Sequence, residues 1–184
     1  MMEFYIDITL TPDAEIPVNR LLNSVYTKLH KSLVDLKTDS IGVSFPSCHV
    51  LLGNRLRIHG SNNSLAELQK LNWVGGVSGY CQISDILAVP QDCQFRTIKR
   101  IQSTMSQSKL KRLIKRGSIT DEEIKAYKAK MFSKGLDNPY VELESTSNGH
   151  KHRRYIAFGV LLEKPVIGAF DQFGLSKTAT IPWF

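Results

Sequence analysis

Along the first 90 residues the apolar side chains change period again and again, and each period admits one kind of element. Phe4, Ile6, Ile8 and Leu10 alternate with Tyr5, Asp7 and Thr9, the two-residue repeat of a strand with one buried face. Over residues 17–36 the repeat lengthens: Val18, Leu21, Leu22, Val25, Leu29, Leu33 and Leu36 recur at three and four, which predicts a long amphipathic helix opened near Pro17. Residues 41–45, closed by Pro46, read as a second strand. Leu56 and Ile58 between Arg55, Arg57 and His59 read as a third. Leu65, Leu68 and Leu71 predict a shorter helix over 61–71, and after Gly75, Gly76 and Gly79 a fourth strand is expected over 80–89, ending at Pro90. The order is β-α-β-β-α-β, the ferredoxin-like pattern, in which two helices cover one face of an antiparallel sheet and the other face is left available.

Beyond Pro90 the pattern changes. A strand is expected over 95–102, then a basic segment with a helix at about 108–117. Thr120-Asp121-Glu122-Glu123 has the form of a capping box opening a helix to about residue 134. Three short strands are expected over 140–144, 155–162 and 166–173, the first two joined by a polar, basic loop over 145–152. The expected fold class is therefore α+β, with a ferredoxin-like domain over 1–92 and a C-terminal α/β domain over 93–184. A length of 184 residues with 42% apolar and 22% charged side chains suits one large or two small folded domains and excludes a disordered tail or a fibre.

The formal net charge is +7, and its placement carries more information than its size. No acidic residue occurs between Asp92 and Asp121, whereas Arg96, Lys99, Arg100, Lys109, Lys111, Arg112, Lys115 and Arg116 all fall there, so the rest of the chain is close to neutral. Concentrated charge of this kind points to a polyanionic partner. On a helical wheel Lys109, Lys111, Arg112, Lys115 and Arg116 share one arc and Leu110, Leu113 and Ile114 the opposite one. Arg112 and Arg116 lie one turn apart, about 6 Å, near the spacing of successive phosphates, and each guanidinium can grip a phosphate or a guanine edge in two places. Three aliphatic residues without Trp or Phe make a poor membrane face, so nucleic acid is favoured over a lipid surface. No aromatic consensus of the RRM type is present.

Residues 1–7 lack the basic and apolar regions of a secretory signal and no run of 18 apolar residues occurs, which predicts a cytoplasmic protein without a membrane partner. Cys48, Cys81 and Cys93 are odd in number and widely spaced, so they are expected to be reduced thiols. Phosphate-loop, dinucleotide, zinc-protease and nucleophile-elbow motifs are missing. His150-Lys151-His152 is too short to define a metal site, and neither a metal nor another cofactor is expected. His30 stands at the margin of the apolar stripe of the long helix, where it is either a structural residue or an acid/base group. Residues alone thus lead to a nucleic-acid-binding protein with acid/base groups available.

Several fixed words go further. Tyr5-Ile6-Asp7-Ile8, Lys28-Leu29-His30, Ile41-Gly42-Val43-Ser44-Phe45-Pro46, Arg55-Leu56-Arg57-Ile58-His59, Arg100-Ile101-Gln102, Gly174-Leu175-Ser176-Lys177 and the final Pro182-Trp183-Phe184 occur in order over nearly the whole chain. In these words the chain resembles the CRISPR-associated endoribonucleases of type I-F systems, the Csy-type enzymes that cut precursor CRISPR RNA within each repeat. The resemblance implies a basic helix in the major groove of the repeat hairpin and carries over Arg112 and Arg116, which keep the one-turn spacing; Lys109, Lys111 and Lys115 share their charged arc and are expected on the RNA with them. It also implies base recognition by Arg100 and Gln102, and a catalytic His30 with Ser145 and Ser147. The implied reaction is metal-free attack of a 2′-OH on the adjacent phosphate, giving a 2′,3′-cyclic phosphate and a 5′-OH, with histidine moving a proton and serine positioning the ribose. The enzyme is then expected to stay on the mature guide RNA beside other subunits of a surveillance complex. Phe173 stands where the family often has tyrosine, and His152 where it has a larger aromatic that stacks on the terminal base pair. A non-catalytic RNA-holding subunit of the same assembly and a nonspecific basic binder are the competing readings, and His30→Ala separates the first of them from an enzyme.

Overall fold

The computed structural model describes residues 2–102, 107–133, 137–144, 149 and 151–184. Its first sheet is built from β1 (Phe4–Leu10), β2 (Gly42–Ser44), β3 (Arg55–Gly60), β4 (Cys81–Ile83) and β5 (Leu87–Ala88). Strand order is β2-β3-β1-β4, all antiparallel, with β5 also pairing β1. Helices α1 (Val18–Leu36) and α2 (Asn62–Lys70) make the two long connections. Pro17 caps α1 in an extended conformation and Ser61 caps α2, its hydroxyl accepting the Ser64 N–H. The apolar stripe of α1 is buried at Leu21, Leu22, Val25, Leu29 and Leu33, and it joins Ile6, Ile8, Leu10, Leu56, Ile58, Leu65 and Leu68 in one core.

A second layer comprises β6 (Gln94–Arg96) paired with β10 (Ile181–Trp183), and a three-stranded sheet in the order β7-β9-β8 from β7 (Ile98–Ile101), β8 (Tyr140–Glu144) and β9 (Lys151–Phe158). Between β7 and β8 in sequence run α3 (Gln107–Lys115) and α4 (Asp121–Ser133). The capping box forms as expected: the Thr120 N–H donates to Glu123 Oε2 at 2.8 Å and the Glu123 N–H to Thr120 Oγ1 at 3.3 Å.

Five expectations are corrected. The fourth strand breaks into β4 and β5 because Ser84 interrupts the ladder, its hydroxyl accepting the Asp7 N–H at 2.9 Å in place of a backbone carbonyl. The strand over 95–102 divides at Thr97, where the chain leaves the β6–β10 pair and enters the other sheet. β9 begins at Lys151 rather than 155, so His152 is a strand residue. Residues 166–173 form no strand; they follow an irregular path in which Phe170 N–H donates to Asp39 O and Val166 N–H to the Thr180 hydroxyl. The open face of the first sheet is covered. Buried Arg57 forms a bidentate pair with Asp7, donates to the main-chain oxygen of Phe184 at 2.9 Å and lies 4.0 Å from the centre of the Phe184 ring. Gly42 is so closely approached that a Cβ there would come within 2.6 Å of Ile181. Residues 181–184 thus lie on the sheet built from the beginning of the chain.

Candidate functional site

His30 emerges from α1 at the edge of the buried stripe and is half-buried. Its Nδ1 lies 2.8 Å from the carbonyl oxygen of Gln172. A carbonyl only accepts, so Nδ1 carries the hydrogen; in the neutral ring the lone pair is on Nε2. The imidazole stacks on Phe173 with ring centroids 3.7 Å apart and planes 9° from parallel. Two restraints, one in the ring plane and one perpendicular to it, fix its orientation.

The segment that supplies both restraints is organised by Asp171. Its Oδ1 accepts the N–H groups of Phe173 and Leu175 at 2.8 and 3.0 Å, closing an Asx turn. Gly174 then adopts φ +69°, a left-handed conformation that suits glycine, and presses its backbone on β2. The Val43 N–H donates to Gly174 O at 2.9 Å, and the Ser176 N–H to Ile98 O at 2.9 Å. The turn is therefore sewn to both sheets. Tyr26, buried on α1, donates its hydroxyl to Phe173 O at 2.8 Å, and burial pushes that phenol far above its ordinary pKa.

Register brings further residues to the same place. Arg100 pairs with Ile156 across β7 and β9, and Arg154 and His152 follow Ile156 at two-residue steps, so all three polar side chains lie on one face of the three-stranded sheet. Arg154 is 7% exposed, and its guanidinium lies 3.4 Å from the centre of the Phe173 ring. Burial and the neighbouring Arg100 charge lower its pKa. The Nε atoms of Arg100 and Arg154 are buried without a hydrogen-bond partner among the described residues. Arg100 and Gln102 line a groove of about 660 Å³ with Asp171, Leu175, Ser176 and Lys177. His30, Phe173, Arg100 and Gln102 are thus gathered around the Asp171 turn, while His152 is exposed further along β9.

The basic helix α3 is exposed at Lys109, Lys111, Arg112 and Lys115, and Leu110 is its one buried residue. Arg116 follows in the closing turn. There Gly117, at φ +63°, donates its N–H to Ile114 O and Ser118 to Leu113 O, the paired bonds of a Schellman motif. Ile114, expected on the docking face, is 46% exposed, leaving that face less covered than its pattern suggests. Ser145 and Ser147 lie outside the described residues. Among the described residues no group of three His, Cys, Asp or Glu side chains is placed to hold a metal ion, and no helix is long and apolar enough to cross a membrane. Sequence reasoning passed over Arg154 and Asp171. The alternation of β9 would have put Arg154 on the inward face had its start been read correctly, and an Asp two residues before Phe173-Gly174 is a turn signal.

Residues 5–184 match the family described as CRISPR-associated protein (Cas_Csy4). Over 184 residues the chain is 37% identical to a protein of Escherichia coli (strain UTI89 / UPEC) named CRISPR-associated endonuclease Cas6/Csy4, with all of both chains covered. A protein of the same name from Pseudomonas aeruginosa (strain UCBPP-PA14) is 36% identical over 187 residues, again with complete coverage of both. A solved structure of the CRISPR endoribonuclease Cse3 bound to a 19 nt RNA aligns with 98% of this chain and 100% of its own at 12% identity, with a TM-score of 0.42, a likeness too slight to bear on the fold.

Proposed function

Because the chain belongs to the Csy4 family of CRISPR-associated proteins, we propose that it is the endoribonuclease that cuts CRISPR precursor RNA at the base of the repeat hairpin and keeps the mature guide RNA. The observation that carries this reading is the held imidazole of His30, with Nδ1–H on Gln172 O and its face on Phe173. That arrangement supports Nε2 as the proton-transfer atom. It takes the 2′-OH proton as the 2′-oxygen attacks the adjacent phosphorus; as the bond from phosphorus to the 5′-oxygen breaks, the proton gained at Nε2 passes to the departing oxygen, which leaves as the 5′-OH and returns the ring to its neutral form. The products are a 2′,3′-cyclic phosphate and a 5′-OH, and the reaction needs no metal.

Arg100 and Gln102, in the groove beside the Asp171 turn, recognise the bases next to the cut; Ser145 and Ser147 fix the ribose. Lys109, Lys111, Arg112, Lys115 and Arg116, with the α3 side chains turned to solvent, take the hairpin's phosphates and groove edges, and His152 stacks on its terminal pair. An A-form major groove is too narrow for this except near a helix end, so the basic helix enters close to the hairpin terminus. The strand order β2-β3-β1-β4 with two crossover helices supports a ferredoxin-like domain over 1–92, joined to an RNA-binding domain over 93–184. A cytoplasmic site of action beside other subunits of a type I-F surveillance complex completes the proposal.

The test is incubation in EDTA with a CRISPR repeat hairpin and with the same RNA carrying deoxyribose 5′ to the cut. Cleavage of the first alone is expected. Tight binding without cleavage of either would instead make the protein a non-catalytic, RNA-holding subunit.

A further inference from the structure

We propose that Arg154 is a positioning residue for the cleavage reaction, acting on His30 through Phe173; the inference rests on the assignment of His30 as the proton-transfer group. The imidazole centroid lies 3.7 Å from the Phe173 centroid with the rings nearly parallel, and the Arg154 guanidinium carbon lies 3.4 Å from that same centroid. Two planar groups cannot both occupy one face of a single ring at those distances. His30 and Arg154 therefore hold opposite faces, and Phe173 is a plate clamped between a base and a cation.

Arg154 is built into this place at a cost. It is 7% exposed, its Nε has no hydrogen-bond partner among the described residues, and Arg100 is close enough to disfavour its charge further. A leucine at this position of β9, opposite buried Val141, would satisfy the core without that penalty. A cation on the face of a desolvated ring gains what a leucine cannot supply, a directional attraction to the ring's negative face. The consequence is an aromatic plate that cannot swing away from α1. The Phe173 N–H on Asp171 and its carbonyl on the Tyr26 hydroxyl fix the backbone of the plate; Arg154 fixes its ring. With phenylalanine here there is no side-chain hydroxyl to tether the ring by a hydrogen bond, so the far face is where it must be held. Its depth, with Nε sealed from solvent, sets Arg154 apart from the exposed Arg112 of α3 and Arg116 of the turn that follows, which are open to RNA.

The experiment compares R154L, R154Q, R154K, F173L, R154L/F173L and H30A with the unaltered protein by single-turnover cleavage at saturating protein and by hairpin binding. R154L and R154Q are expected to slow cleavage by about tenfold with hairpin affinity within about twofold, since alignment is lost and not contact. R154K, which keeps a cation on the ring, is expected to recover most of the rate. In the F173L background R154L is expected to add nothing, because the plate through which it acts is gone. Cleavage unchanged at saturation with weakened binding would make Arg154 an RNA contact, and independent, multiplying effects of R154L and F173L would remove the coupling; either overturns the proposal. H30A reports separately: full cleavage by H30A would sink the assignment of His30 itself, whatever Arg154 does.

Discussion

Gly174 holds the Asp171 turn against β2, and three glycine-to-alanine substitutions measure how closely. Gly174 has φ +69°, and a Cβ there would come within 2.8 Å of Val43 Cγ1 and 3.2 Å of Val43 N. Gly117 has φ +63° with nothing within 4 Å, and Gly76 has neither a positive φ nor a neighbour within 4 Å. G76A therefore isolates the background and is expected to change stability by less than about 0.5 kcal/mol. G117A isolates backbone strain, about 1 kcal/mol. G174A adds to that strain the overpacking against β2, about 1–3 kcal/mol, for a total of about 2–4 kcal/mol. The chain can escape part of this by releasing the turn from Val43, and then Gln172 O and Phe173 leave His30. Urea unfolding of the three variants, with single-turnover cleavage of the repeat hairpin alongside, reads both effects. G174A is expected to be the least stable and to lose at least about tenfold in cleavage. G174A equal to G117A in stability and equal to the unaltered protein in cleavage would refute the close contact and its link to the site.

Three further outcomes follow from single groups. His59 is fully buried, and burial, then the Arg57 charge, lowers its pKa to about 3. The unfolded chain binds the proton more readily, so stability is complete above about pH 6.5 and falls toward pH 3 by up to about 1.4 kcal/mol per unit, a slope that H59L should flatten in urea titrations across that range. Arg57, held by Asp7 and by Phe184, is expected to cost about 3 kcal/mol on R57A, because the Asp7 carboxylate loses its bidentate partner and keeps only the more exposed Arg55 at 3.9 Å; a loss under about 1 kcal/mol in urea unfolding would contradict the buried pair. T120A removes one half of the capping box and should lower stability by about 1 kcal/mol with a matching loss of helical circular dichroism, whereas unchanged ellipticity and stability would speak against the cap.

What was legible beforehand followed from strong local periods. Seven apolar side chains at helical spacing predict α1 to within a residue, and the alternation over 140–144, bounded on both sides, predicts β8 to its ends. The failures share a physical origin in bonds made over long sequence distances. Ser84 breaks a strand by offering its hydroxyl to Asp7, and Thr97 ends one by turning against Gly159, where a Cβ would come within 2.2 Å of the Thr97 hydroxyl. β10 escaped notice because Pro182 sits inside a three-residue run, as an edge strand permits. At the site, His30 was visible as a margin residue and through its family word, but the groups that orient it are a main-chain carbonyl, an aromatic ring and a buried guanidinium, none of which carries a spacing signal relative to residue 30.

In the proposed mechanism His30 moves the proton while other residues hold the RNA. Single-turnover cleavage of the repeat hairpin by H30A in EDTA, measured beside hairpin affinity, tests it most directly. Affinity within about twofold of the unaltered protein with cleavage reduced by at least about a hundredfold is the predicted result, the range expected for loss of a general acid/base; cleavage by H30A at the unaltered rate would contradict it.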